Sequence, residues 1–186
     1  LKAIAPVLLL KSRNETYEEN LHSAEIIGKV LGKDSAMQTR LAQHRETMKT
    51  YADQLPKGTS VAFGTSREQQ FNLYSSDAYT GSVLAALGLS VPKPINNAPM
   101  ASINLEQLLA INPQWLIVTH YREESIVKRW QQDTLWNLLE AQQKQQIAAV
   151  DSNAWARMRG IFAAERIGSD TVKIFKHQPV SVSSEQ

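Results

Sequence analysis

Trp155, Arg157 and Arg159 lie at two-residue steps in Asp151-Ser-Asn-Ala-Trp-Ala-Arg-Met-Arg-Gly160. An aromatic plane beside two guanidinium forks suits a compact, carboxylate-rich anion, because each fork can hold a carboxylate through two parallel hydrogen bonds. A plainer reading makes Trp155 the plug at the end of a core and leaves the arginines to solvent; the stretch alone leaves both open. Two more arginines stand in similar places. Arg67 follows the apolar run 60–64 within Thr65-Ser-Arg-Glu-Gln-Gln-Phe-Asn72, and Arg122 follows the run 115–118 within Thr119-His-Tyr-Arg-Glu-Glu-Ser125.

The elements that must position these residues follow from periodicity. Short apolar runs at 6–10, 60–64, 115–118 and 147–150 read as buried strands. Between them, apolar residues recur at 3- and 4-residue steps. Leu21, Ala24, Ile27 and Leu31 form the stripe of a helix over 14–31, with Asn14 as its cap and Gly32 just past its end. Met37, Leu41, His44, Met48, Tyr51 and Leu55 mark a second helix, on which His44 reads as a satisfied, half-buried histidine. Further helices are expected at 80–87, at 105–111 (capped by Asn104 with Gln107 in a capping box), at 125–131, at 135–145 after an Asp133 cap, and from 161 through 175. Strands alternating with helices predict an α/β fold: a mostly parallel sheet flanked by helices on both faces. Parallel strands release their loops on one edge, so Arg67, Arg122, Arg157 and Arg159 should converge there. If the backbone at 157–159 is extended, the last two share a side; if it is helical they diverge by about 200°. The reading favours Arg157 as the ligand-facing one.

Composition removes several function classes. The chain of 186 residues is 42% hydrophobic, enough for one cored domain of ordinary size. A net charge of +2, with basic residues spread along the chain, gives no footprint for nucleic acid. No cysteine is present, which excludes disulfides and thiolate metal sites. No apolar run reaches the roughly 18 residues that span a bilayer. The chain opens at Leu1 inside an apolar segment without an initiator methionine, so it reads as part of something longer, with any targeting signal upstream. Gly28-Lys-Val-Leu-Gly-Lys-Asp-Ser35 lacks the spacing and the Ser/Thr after lysine that a phosphate loop needs. There is no nucleophile elbow, and the histidines at 22, 44, 120 and 177 are scattered, which argues against both a catalytic triad and a protein-ligated metal. An enzyme acting on a carboxylate-rich anion is the alternative, and it lacks a base or nucleophile at the rim. A lobe that has lost ligand binding would leave the clustered arginines unexplained.

Four stretches carry a family resemblance: Arg67-Glu-Gln-Gln-Phe-Asn-Leu-Tyr74, Leu105-Glu-Gln-Leu-Leu-Ala-Ile-Asn-Pro113, His120-Tyr-Arg-Glu-Glu-Ser-Ile-Val-Lys-Arg-Trp-Gln-Gln132, and Asp151 to Gly160. Together they resemble the periplasmic receptors for ferric dicitrate, within the class of iron-siderophore ABC-importer solute-binding proteins whose two lobes are bridged by a rigid helix. The likeness extends over the whole chain but only over the C-terminal half of that family's length. It implies that 1–13 is the end of the N-terminal lobe and hinge strand, 14–31 the interlobe helix, and 32–186 the C-terminal α/β lobe. It implies a periplasmic, monomeric receptor rather than an enzyme, binding an anionic iron(III)–citrate chelate whose iron is held by citrate oxygens, with no cofactor and no protein metal ligand. Another carboxylate-type siderophore is the alternative ligand. Arg13, Arg67, Arg122, Arg157 and Arg159 are expected to take carboxylates, Gln70 and Asn72 to donate to remaining oxygens, and Trp155 and Tyr121 to pack on apolar ligand edges. Glu106 matches the surface glutamate that docks the inner-membrane ABC permease.

Overall fold

The structure is a computed structural model that describes residues 7–10, 14–119 and 124–182. Helix α1 (Tyr17–Val30) and helix α2 (Asp34–Ala52) lead into strand β1 (Val61–Ser66), which turns back as β2 (Phe71–Tyr74). Helix α3 (Tyr79–Ala86), strand β3 (Met100–Ile103), helix α4 (Leu105–Ile111) and strand β4 (Trp115–Thr119) follow. The chain continues through α5 (Ile126–Trp130), a 3₁₀ turn (Thr134–Leu138), α6 (Glu140–Gln143), β5 (Ile147–Val150), a π-helical turn (Asn153–Arg157) and α7 (Ile161–Phe175).

The five strands lie in the order β3-β2-β1-β4-β5. β1, β4 and β5 run parallel, as alternation with helices requires, whereas β2 pairs antiparallel with both β1 and β3. The sheet is therefore mixed, with half of its pairings antiparallel. β2 and β3 were not foreseen: the polar turn at 67–70 carries no Gly-based hairpin signal, and Met-Ala-Ser-Ile is a weak strand sequence whose place on the sheet edge tolerates it. The expected strand at 6–10 is absent where the structure describes it. Residues 7–10 have no strand partner, and Val7, Leu8 and Leu9 are exposed.

Alternating side chains serve two cores. Phe63 of β1 and Ile117 of β4 face a core shared with α1, α2, α3 and α7; Ala62, Leu116 and Val118 face one shared with α4, α5, α6 and the 3₁₀ turn. Gly64 is required by this packing. A Cβ there would lie 2.2 Å from the Phe71 ring, which folds across the strand.

Local capping reads as the residues dictate, with one shift. Asn104 and Gln107 form the expected capping box, Asp133 accepts from the Leu135 amide, and Gly32 takes φ 65° after α1. The cap of α1, however, is Thr16, which forms its own capping box with Glu19; Asn14 lies outside the helix at φ 59°. Of the predicted α1 stripe only Leu21 is buried, and Ile27 and Leu31 are exposed.

α1, α2 and α7 are joined by a buried polar network. His44 is 0% exposed, with Nε2 at 2.6 Å from the Tyr17 hydroxyl and Nδ1 at 2.9 Å from Glu165. The arrangement that satisfies all three groups has Tyr17 donating to Nε2 and Nδ1–H donating to the carboxylate. Arg40 closes the network with two 2.9 Å bonds to Glu165. Burial pushes the His44 pKa down despite the carboxylate, and pushes that of Tyr17 up to about 12. Burial would raise Glu165, but bonds from Arg40 and His44 outweigh it and hold the carboxyl below its ordinary value. His44 is thus the satisfied core histidine that its place on the α2 stripe predicted, and it is fully rather than half buried.

Candidate anion-binding rim

The carboxyl ends of β1, β4 and β5 share one edge of the sheet, since the three are parallel. β3 runs antiparallel to β2 and hence along β1, so its end at Ile103 lies on the same edge, opposite Phe71. This edge carries the turn after β1, the start of α4 and the stretch after β5. Arg13, Tyr121 and Arg122 lie outside the described residues.

The turn after β1 is tight and anchored from behind. The Arg67 amide donates to the Gln70 carbonyl at 2.8 Å, and the Arg67 carbonyl accepts from the Ile126 amide at 2.8 Å. Ser66 accepts from the Val127 amide, and the Arg129 guanidinium donates to the Glu68 carbonyl. Backbone and neighbouring helix therefore fix this corner, while the Arg67 side chain is exposed and has no partner among the described residues. Gln70 is also exposed. Asn72 is half-buried and stands opposite Thr65 in the β1–β2 register.

The stretch after β5 coils once before α7. Asp151 accepts from the Ala154 and Trp155 amides, and the Met158 amide reaches back to the Asn153 carbonyl at 2.9 Å. The expectation that Trp155 packs on a ligand is corrected here. Trp155 is 0% exposed, its ring lies 5.4 Å from that of Phe63, and its indole N–H donates to Asp170 at 3.1 Å. Asp170, itself buried, also takes two bonds from Arg166 Nε. Thr80 donates to the Trp155 carbonyl. A large apolar ring one turn past a central strand gains more from the core than from the cleft, so Trp155 is the plug of the two readings and the anchor of the turn.

The two arginines beside it separate. Arg157 is in the helical turn, exposed, and its Nη1 donates to Asn153 Oδ1 at 3.0 Å. At Met158 the backbone becomes extended (φ −72°, ψ 151°), and Gly160 takes φ 91°, a region that favours glycine. Arg159 thereby swings over Tyr79, with its guanidinium carbon 5.1 Å from the ring centroid. Its Nη1 donates to the Ala156 and Met158 carbonyls at 3.1 and 2.8 Å, and Nε and Nη2 have no partner among the described residues.

Arg67 and Arg159 stand on the same edge of the sheet, in the turns that follow β1 and β5. Burial raises the Tyr74 pKa, while Arg159, a hydrogen bond with Thr65, and Arg67 act against it. Tyr74 was missed in the sequence. The signal was there, since Asn72 and Tyr74 alternate onto the same face of β2, but only recognition of β2 as a strand brings it out. Among the described residues no group of three or more His, Cys, Asp or Glu could hold a metal ion.

A family profile described as periplasmic binding protein matches residues 1–154. The chain belongs to the periplasmic binding protein family. It is 71% identical over 182 residues to the Fe(3+) dicitrate-binding periplasmic protein FecB of Escherichia coli strain K12, covering 98% of this chain and 61% of that protein. It is 33% identical over 175 residues to the Fe(3+)-citrate-binding protein YfmC of Bacillus subtilis strain 168, covering 93% of this chain and 55% of that one. The chain thus spans about three fifths of the length of these curated relatives. Staphylococcus aureus SirA superposes with a TM-score of 0.77 over 96% of this chain and 71% of that chain at 15% identity, and the FhuD protein from S. pseudintermedius with 0.73 over 96% and 66% at 22%. These two likenesses support the α/β lobe architecture. The family is one of periplasmic solute-binding proteins, not enzymes, and among the described residues no helix is long and apolar enough to cross a membrane.

Within that family frame, Glu106 occupies the first turn of α4, exposed and without a partner among the described residues. The start of α4 lies at the sheet edge that carries Arg67.

Proposed function

We propose that this chain is the C-terminal lobe of a periplasmic receptor that binds an anionic iron(III)–citrate chelate in an arginine-lined interlobe cleft and delivers it to an inner-membrane ABC permease. The observation that carries the reading is the pair Arg67 and Arg159. They are exposed guanidinium groups from separate loops on one edge of the sheet, without a carboxylate partner among the described residues. The relative with 71% identity, named for Fe(3+) dicitrate, supports the choice of ligand. Citrate oxygens would satisfy the iron, so the protein's part is to take the remaining carboxylates, at about 1.5–3 kcal/mol for each well-made charge-assisted bond. Gln70 on the same turn as Arg67 and Asn72 on β2 are further donors, and Arg13, Tyr121 and Arg122 join them by the family resemblance. α1 would be the interlobe helix, the receptor would act as a monomer, and Glu106 would meet the permease.

Titration of the full-length receptor with ferric citrate tests this. Arg67→Ala and Arg159→Ala are each expected to weaken binding by about tenfold or more; unchanged affinity in both would remove the site. Glu106→Lys should leave that affinity intact while lowering iron uptake in cells.

A further inference from the structure

Tyr79 and Thr80, the first residues of α3, grip both ends of the stretch that carries Arg159. Thr80 donates to the Trp155 carbonyl at one end, and the Tyr79 hydroxyl donates to the Gly160 carbonyl at 2.7 Å at the other. Tyr79 is only 2% exposed, so its ring cannot follow the loop; the loop must follow the ring. α3 is itself pinned, since a Cβ on Gly81 would lie 1.9 Å from the Ser75 carbonyl oxygen. One ring face is left to Arg159, whose guanidinium carbon stands 5.1 Å from its centroid. A cation over an aromatic face is attracted by the ring quadrupole, and the planar guanidinium stacks while keeping its edge donors available. The edge not turned to the Ala156 and Met158 carbonyls remains for a ligand.

We infer that Tyr79 is a positioning residue for anion recognition: its ring and hydroxyl hold the Arg159–Gly160 corner so that the free edge of the Arg159 guanidinium stands ready on the rim that also carries Arg67. The inference rests on the proposed role of Arg159 in binding ferric citrate. It extends that role to a residue that never touches the ligand.

Ring electronics separate positioning from general packing. In the full-length receptor, Tyr79→Phe keeps the ring face, and trifluorophenylalanine at the same position keeps its shape while depleting its electron density. Ferric citrate binding is expected to fall about threefold on going from phenylalanine to the fluorinated ring. The same change made in an Arg159→Ala background is expected to have no effect. Equal affinities for the two rings, or a loss that persists without Arg159, would overturn the positioning role. Should Arg159→Ala bind as tightly as the parent, Arg159 takes no part in binding and the positioning role falls with it. If Arg159→Ala is weak and ring electronics are silent, the site stands and only Tyr79's part is lost.

Discussion

The helical side of the lobe and its rim use arginine in opposite ways. On the helical side Arg40 meets Glu165 through both terminal nitrogens, and Arg166 meets the buried Asp170. Each of these carboxylates also holds a second group, His44 in one case and the Trp155 indole in the other. On the rim, Arg67 and Arg159 have no carboxylate among the described residues, though the backbone beneath each is fixed by several bonds. The first pattern ties α2 and α7 together and holds the core residue that anchors the rim turn. The second leaves two cations on one edge with no opposite charge among the described residues, Arg159 meeting only backbone carbonyls and the Tyr79 ring, which is the arrangement expected where an anion supplies the missing partner. Substitutions on the helical side should therefore act on stability, and those on the rim on affinity.

Trp155→Ala should give the largest effect. It removes a fully buried ring and leaves Asp170 short of a donor, so a loss of about 3–5 kcal/mol is expected in thermal or denaturant unfolding. A loss below 1 kcal/mol would mean that the ring is not the anchor of this turn. Next comes Glu165→Ala, which strips the buried His44 of one partner and Arg40 of its carboxylate; about 2–3 kcal/mol is expected, with ferric citrate affinity unchanged. If affinity fell as well, the separation between the two regions would be broken.

The same network sets a pH dependence. Because the folded pKa of His44 is depressed, its contribution to stability is fully present above the ordinary histidine value of 6.5 and is lost as pH falls toward the folded value. The unfolded chain takes up a proton in that window and the folded one resists it. Unfolding measured from pH 7.5 down to 5.5 should show this decline in the parent and a flatter profile in His44→Gln; equally steep profiles would exclude His44 as the source. The smallest change is expected from Arg157→Ala. Arg157 already bonds Asn153 and stands in the helical turn, so affinity should stay within about twofold. A tenfold loss there, with Arg159→Ala silent, would exchange the roles of the two arginines.

What the sequence by itself determined was local. Hydrophobic period located β1, β4, β5 and the main helices; the Asn104–Gln107 box, the Asp133 cap and Gly32 are set by neighbours three or four residues away. From parallel strands alone it followed that Arg67 and the arginines after β5 share an edge. The tertiary structure decided everything that joins distant positions. Phe71–Tyr74 became a strand because β1 and β3 lay ready to pair with it, and that pairing set the Tyr74 ring against Phe63. Trp155 faced inward because Phe63 and Asp170 are there to receive it. Arg159, read in sequence as the lesser of its pair, was set over the ring of Tyr79, 80 residues earlier in the chain, beside a glycine at φ 91°. The physical reason is one of range. A cap or an amphipathic stripe is satisfied within one or two helical turns and leaves its mark there, whereas the orientation of a side chain at a loop is set by which surface reaches it in the folded chain.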